Sequence, residues 1–256
     1  MLNNKKDYSH IGILSAMPEE VGIILDNLKN AKSYKFGDFE LFSGYINIDS
    51  SKEIFVTTAW SGWGKVSAAR ATTRLLSTDY HLPIDFILFT GVAGGINKRL
   101  KQWDVILADS LIQHDMDARP LFDKYVIPSI NQKKIYPCHY LLENVFNNLK
   151  NNLINDDFSK FGSLYKGLIG TGDMFISNNN KINNLLKEIP ELYAVEMEGA
   201  AFAQVAFQEK VDWLVMRVIS DTANSNASND FEDFLKEYKL NSFALIKSFL
   251  EVLKNK

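Results

Sequence analysis

The chain has 256 residues, 46% hydrophobic and 12% aromatic, enough for the core of one large globular domain. A net charge of −3 and a pI near 5.9, with no long single-sign run, give no electrostatic case for a nucleic-acid or anionic-membrane partner. The one cysteine, Cys138, excludes an intramolecular disulfide framework and fits a reducing cytoplasm.

Residues 1–10, MLNNKKDYSH, are polar with no apolar segment behind them, so a flexible extension is expected rather than a signal peptide. No later run reaches the roughly 20 apolar residues of a membrane helix, and a soluble cytoplasmic protein is expected. Residues 11–256 contain no repeat or linker and predict a single domain. Residues 11–16 predict a strand. Pro18, Glu19 and Glu20 then suit the first turn of a helix to about residue 28, where a preset φ and negative charge favour the helix start. Residues 39–48 and 53–59 predict successive strands, and a helix follows from Gly64 or Lys65 to about residue 77. Residues 86–89 form an apolar strand running into the small-residue loop Thr90-Gly91-Val92-Ala93-Gly94-Gly95. Residues 104–111 predict a strand continuing to Gln113-His114-Asp115, whereas 116–136 mix turn and aromatic character. A helix is predicted over 139–153. A strand over 166–169 leads to Gly170-Thr171-Gly172-Asp173-Met174-Phe175, and Asn178, Asn179 and Asn180 cap the next helix. Residues 193–195 lead into Glu196-Met197-Glu198 and a helix of small residues. Residues 213–219 are nearly all apolar, as in a strand covered on both faces, and end at Ser220-Asp221. Residues 224–230 read as a polar loop before a last helix that buries Phe231, Phe234, Tyr238, Ile246 and Phe249 at helical spacing. Strands alternating with helices predict a three-layer α/β/α sandwich around a mixed, largely parallel central sheet.

Such folds collect ligands at the carboxyl ends of their strands. Gly62-Trp63-Gly64-Lys65 lacks the spacing of a phosphate-binding loop, and no dinucleotide-type glycine pattern is present. His114 with Asp115 and Asp117 reads as a solvated or hydrogen-bonded group, and the His and Cys residues show no metal-ligand spacing, so neither metal nor cofactor is expected. Taken singly, the other strand-end residues are ambiguous. Asp221 reads equally as a cap, Glu20 as an ordinary first-turn acid and Glu198 as a solvated helix-start residue.

Their combination carries more. The segments IGILSAMPEEV (11–21), SGWGKV (61–66), TGVAGG (90–95), HDMD (114–117), GTGDMFI (170–176), AVEMEGAA (194–201) and RVISD (217–221) follow one another across nearly the whole chain. In these motifs the chain resembles the nucleoside phosphorylase/hydrolase superfamily and, within it, the 5′-methylthioadenosine/S-adenosylhomocysteine nucleosidases. The resemblance implies a nucleoside phosphorylase-like fold and cleavage of the base–sugar bond of an adenine nucleoside. That reaction passes through an oxocarbenium-like sugar and needs an acid for the leaving base and an activated water. By this matching Asp221 is the acid at adenine N7, its pKa expected to be raised by burial. Glu20 activates the water, and Glu198 accepts hydrogen bonds from the ribose hydroxyls. Arg217 is expected to hold the water or Glu20, since an arginine in an apolar strand needs a buried partner. Phe175 is expected to stack on the base, with the Ile176 backbone at its edge and Met197 against the ribose. Met17, Trp63 and Phe231 line the 5′-substituent pocket; Val92, Ala93, Gly94, Glu196 and Ser220 complete the binding residues, Glu196 in a secondary role.

The resemblance also implies a homodimer in which residues 118–122 of a neighbouring subunit close the 5′ pocket. Phosphorylases of the superfamily carry arginines near the first helix and before the glycine loop; here those sites read Ser15-Ala16-Met17-Pro18-Glu19-Glu20 and Leu88-Phe89-Thr90. An acidic pocket without arginine repels phosphate and suits water. Val92 departs from the common pattern at the water site, and Trp63 and the segment 118–134 depart from it in the 5′ pocket, which leaves the 5′ preference open. A nucleosidase acting on aminodeoxyfutalosine or another adenosine derivative, a purine nucleoside phosphorylase and an inert nucleoside sensor are the competing readings.

Overall fold

The computed structural model describes residues 8–49, 51–155, 160–221 and 227–254. In chain order the elements are β1 (His10–Ser15), α1 (Pro18–Val21) with a 3-10 segment (Gly22–Asn27), β2 (Lys29–Phe36), β3 (Phe39–Asn47), β4 (Glu53–Trp60) and α2 (Lys65–Ser77). Then come β5 (Phe86–Phe89), β6 (Val92–Gly95), β7 (Val105–Gln113), α3 (His139–Asn155), β8 (Leu164–Thr171), α4 (Asn179–Glu188), β9 (Leu192–Glu196), α5 (Gly199–Glu209), β10 (Asp212–Asp221) and α6 (Ala227–Lys254).

Among the described residues the strands form one sheet in the order β2-β3-β4-β1-β5-β10-β6-β9-β8-β7. Pairing is parallel from β4 through β1, β5 and β10 to β6, and again along β7-β8-β9; β2-β3-β4 and β6-β9 are antiparallel. One apolar cluster joins α1, α3 and α6 to one face of the sheet, and a second joins α2 and α5 to the other. This is the mixed, largely parallel α/β/α arrangement expected. The expectation did not include β7 returning to pair antiparallel with β10, with Met216 opposite Leu107. That pairing closes β10-β6-β9-β8-β7 into a ring and removes one sheet edge.

Five further differences have physical causes. Tyr8 and His10 are buried, not part of a flexible extension: the Tyr8 hydroxyl donates to Asp212 at 2.9 Å, and the His10 ring lies between the Leu82 carbonyl (2.7 Å) and the Thr57 hydroxyl (2.8 Å). Residues 1–7 of that extension lie outside the described residues. The first α-helix ends at Val21 because Gly22 takes φ +57°, and a Cβ there would stand 2.7 Å from Ser242 Oγ on α6. β2 has no apolar alternation to announce it; its exposed KNAKSYKF stretch is an edge strand whose lysines discourage further pairing. Within the expected glycine loop, residues 92–95 pair with β9 and β10 as β6. Of the polar loop expected at 224–230, residues 224–226 lie outside the described residues and Ala227 already opens α6. Among the described residues no helix is long and apolar enough to cross a membrane.

Candidate active site

The carboxyl ends of β1, β4, β8, β9 and β10 converge with β6 on an open cleft of about 630 Å³. Its walls are Met17, Glu20, Trp63, Val92, Ala93, Gly94, Phe175, Ile176, Glu196, Met197, Glu198, Ser220, Asp221 and Phe231, together with Ala16, Met174 and Val195. Every candidate residue from the sequence is therefore at this cleft except Arg217, which is fully buried behind it. Ala16, Met174 and Val195 were missed, although each lies inside a quoted motif; a flank of small or apolar residues carries no chemical signal of its own.

Glu20 is placed by local geometry. It is the third residue of α1, whose start lacks a side-chain cap, and its carboxylate turns back to accept from the N–H groups of Ala16 (2.8 Å) and Met17 (3.0 Å). A third donor, the Val92 N–H, reaches the other oxygen at 2.8 Å. Gly91 has φ +137°, and a Cβ there would collide with the Glu20 carboxylate and the Arg217 guanidinium, so the β5–β6 turn passes this close only as glycine. Burial drives the Glu20 carboxyl above its ordinary value, against the opposing pull of Arg217 and the three N–H donors.

Arg217 lies mid-strand in β10 over the Phe89 ring, 4.6 Å from its centroid. One Nη donates to the Thr90 carbonyl at 3.1 Å; the other donates to Glu196 and stands 3.4 Å from Glu198. Its distance to Glu20 is 3.9 Å. Arg217 was expected to hold the water or Glu20; Glu20 lies within ion-pair distance, and Glu196 is the nearer carboxylate. Glu196 also accepts from the Thr171 hydroxyl and from the N–H groups of Glu198 (3.1 Å) and Gly199 (2.7 Å), so it caps α5 and ties that helix to the arginine. The secondary role assigned to it from sequence understates this.

Glu198 stands at the cap position of α5 and accepts from the Gly64 N–H at 2.8 Å. Burial pushes its carboxyl up to about 8, helped by the negative Glu196 and opposed by Arg217. Asp221 is only half-buried at the end of β10, where Ser220 Oγ donates to it at 2.7 Å. Phe175 and Phe231 meet edge to face, with centroids 6.2 Å apart, at the outer part of the cleft.

The other polar residues weighed from the sequence lie outside the cleft lining. Asp115 and Asp117 are taken up by Lys65 and Arg119. Among the described residues no group of three or more His, Cys, Asp or Glu is arranged to hold a metal ion. Cys138 is exposed and free.

Residues 10–251 match the family model described as the phosphorylase superfamily, the class that this fold and cleft define. The chain is 32% identical over 244 residues to a 5′-methylthioadenosine/S-adenosylhomocysteine nucleosidase of Haemophilus influenzae, covering 95% of this chain and 99% of that one. It resembles the crystal structure of the nucleosidase of the same name from Colwellia psychrerythraea in complex with adenine, with TM-score 0.83, 30% identity and 97% of each chain covered. It is also similar to the futalosine hydrolase of Helicobacter pylori, with TM-score 0.80, 30% identity, 95% of this chain covered and 98% of that one. The chain belongs to the family of 5′-methylthioadenosine/S-adenosylhomocysteine nucleosidases, which are N-glycosyl hydrolases.

Proposed function

We propose that the protein hydrolyses the N-glycosidic bond of 5′-methylthioadenosine, S-adenosylhomocysteine or both, releasing adenine and the 5′-thioribose product. One observation carries the reading. Four carboxylates in different surroundings, Glu20, Glu196, Glu198 and Asp221, face one cleft whose described lining contains no lysine or arginine. A carboxyl-lined pocket with no lysine or arginine in its lining offers phosphate no partner and favours both water and a cationic transition state.

The roles follow from the surroundings. Asp221, half-buried and open to the cleft, donates a proton to N7 of the departing adenine. Glu20, held by three N–H groups with its proton affinity raised by burial, orients the water and takes its proton. Glu198 accepts from the 2′- and 3′-hydroxyls and, once ionised, favours the positive charge that develops on the sugar. Arg217 and Glu196 hold Glu20 and Glu198 in register. Phe175 stacks on adenine, the Ile176 backbone meets its edge, and Met17, Trp63 and Phe231 take the 5′ group. A homodimer, with residues 118–122 of the second copy closing the 5′ side, and a cytoplasmic setting belong to the same reading. Leu121 is 85% exposed and Phe122 is 38% exposed, which supports the first; the unpaired Cys138 supports the second. The likeness to a futalosine hydrolase favours aminodeoxyfutalosine as a second substrate to assay.

Adenine release from methylthioadenosine, followed by chromatography with and without phosphate, tests the proposal. Equal release in both conditions is expected. Release only with phosphate, accompanied by a sugar 1-phosphate, overturns hydrolysis, and no release from any of the three nucleosides overturns the enzyme.

A further inference from the structure

Three motifs that supply no reacting group meet beside the cleft. The start of α2 has no side-chain cap of its own: Gly64 occupies the cap position at φ +92°. Two carboxylates do that work instead. Glu198 accepts from the Gly64 N–H at 2.8 Å, and Asp173 accepts from the Lys65 N–H at 2.8 Å. Asp115, from the segment after β7, joins both sides: one oxygen accepts from Lys65 Nζ at 2.7 Å and the other from the Asp173 N–H at 2.9 Å. Lys65 Nζ also stands 3.4 Å from Gln113 Oε1 and 3.9 Å from Asp173 Oδ2. The Lys65 and Asp115 side chains are 19% and 27% exposed, so this pair is better shielded from water than an ordinary surface ion pair. Burial raises the Asp115 carboxyl, but Lys65 and the Asp173 N–H outweigh it and hold it below its ordinary value. A Cβ on Gly64 would stand 2.9 Å from Asp173 Oδ1, so the approach of the two segments also depends on that glycine.

We propose that Lys65, Asp115 and Asp173 form a latch that positions the outer walls of the nucleoside cleft. Asp173 is followed directly by Met174 and Phe175, and Gly64 is preceded directly by Trp63; all three side chains line the cleft. The latch therefore fixes the separation of the two walls, and through the Gly64 N–H it also sets the Glu198 carboxylate. Lys65, Asp115 and Asp173 are positioning residues, acting through the aromatic walls and Glu198 rather than on the substrate.

The kinetic part of the test rests on the nucleosidase reading; a second part does not. With methylthioadenosine, Lys65→Met and Asp115→Asn are each expected to raise KM about tenfold while kcat stays within roughly threefold. Because the two residues serve one contact, the double variant is expected to be no worse than the poorer single one, and Lys65→Arg to restore most of the loss. Amide hydrogen exchange over residues 172–176 is expected to accelerate about tenfold in both single variants, with the melting temperature within about 2 °C of the wild type. Unchanged KM with unchanged exchange overturns the latch. So does a joint fall in kcat and melting temperature that arginine does not rescue, which marks a merely structural role. If the wild type releases no adenine, the nucleosidase reading fails and the exchange comparison alone decides the latch.

Discussion

Arg217 is surrounded by more negative charge than it can neutralise. Glu20, Glu196 and Glu198 all lie within 4 Å of its guanidinium, and all four groups are buried. Burial raises the proton affinity of both Glu20 and Glu198, Glu198 to about 8 with the negative Glu196 adding to the rise, while Arg217 opposes it in each. A carboxyl with a raised folded-state pKa binds its proton more tightly folded than unfolded. Its contribution to stability is therefore complete below the ordinary value of 4.5 and is lost as the pH climbs through about 8. Glu198→Gln is expected to flatten that decline, leaving the ligand-free variant at pH 8–9 about 2–4 °C more heat-stable than the wild type, the equivalent of about 1 kcal/mol. Parallel melting curves across that range would remove the proton from Glu198. Asp221 makes a different prediction because it stands partly exposed at the end of β10, where the cleft opens. Asp221→Asn is expected to keep its melting temperature and lose about 10²–10⁴-fold in kcat; turnover near the wild-type rate excludes it as the acid.

At the scale of elements, the site is made where short elements end. The single α-helical turn of α1 presents Glu20 only because Gly22 stops the helix and lets α6 press against it. Facing it, the β5–β6 turn gives the Val92 N–H to Glu20 and the Thr90 carbonyl to Arg217. Gly91 joins those two contacts. Gly91→Ala is expected to push Glu20 and Arg217 apart, lowering kcat/KM at least about 100-fold at a folding cost of about 1–3 kcal/mol. Circular dichroism and adenine release from the same preparation check it; a folded variant of normal activity would show that Glu20 tolerates displacement. At this scale the sequence was least informative. Polar β2 has no period to betray it, and β6 is four residues of which two are glycine. Both are strands because neighbours supply hydrogen-bond partners, not because their residues prefer it.

For the whole molecule, the closed ring of β10, β6, β9, β8 and β7 stiffens the half of the sheet that carries Glu196 and Arg217. The cleft stays open on the side bearing Trp63 and Phe175, both about half-exposed at 57% and 46%. A second copy covering that side through Leu121 and Phe122 is the proposed remedy. Leu121→Asp is expected to convert a dimer to a monomer in sedimentation at micromolar concentration and to raise KM about tenfold, with kcat less affected. A wild type that sediments as a monomer with full activity would exclude a shared site.

The amino-acid sequence carried the alternation of strands and helices and the strand ends at which the chemistry gathers; Glu20, Glu198 and Asp221 stood out only through the resemblance of the motifs that hold them. Apolar runs, helix starts and acidic motifs are local features that survive without a partner. That Glu196 and Glu198 join Glu20 around Arg217, and that Lys65, Asp115 and Asp173 meet, follow from the tertiary structure alone. It alone also showed that β7 closes onto β10. Each of these joins residues distant in the chain, and a side chain's charge partner is set by which backbones approach within hydrogen-bond reach. For Glu198, burial among those partners raises its proton affinity, a property that its place in the motif does not carry.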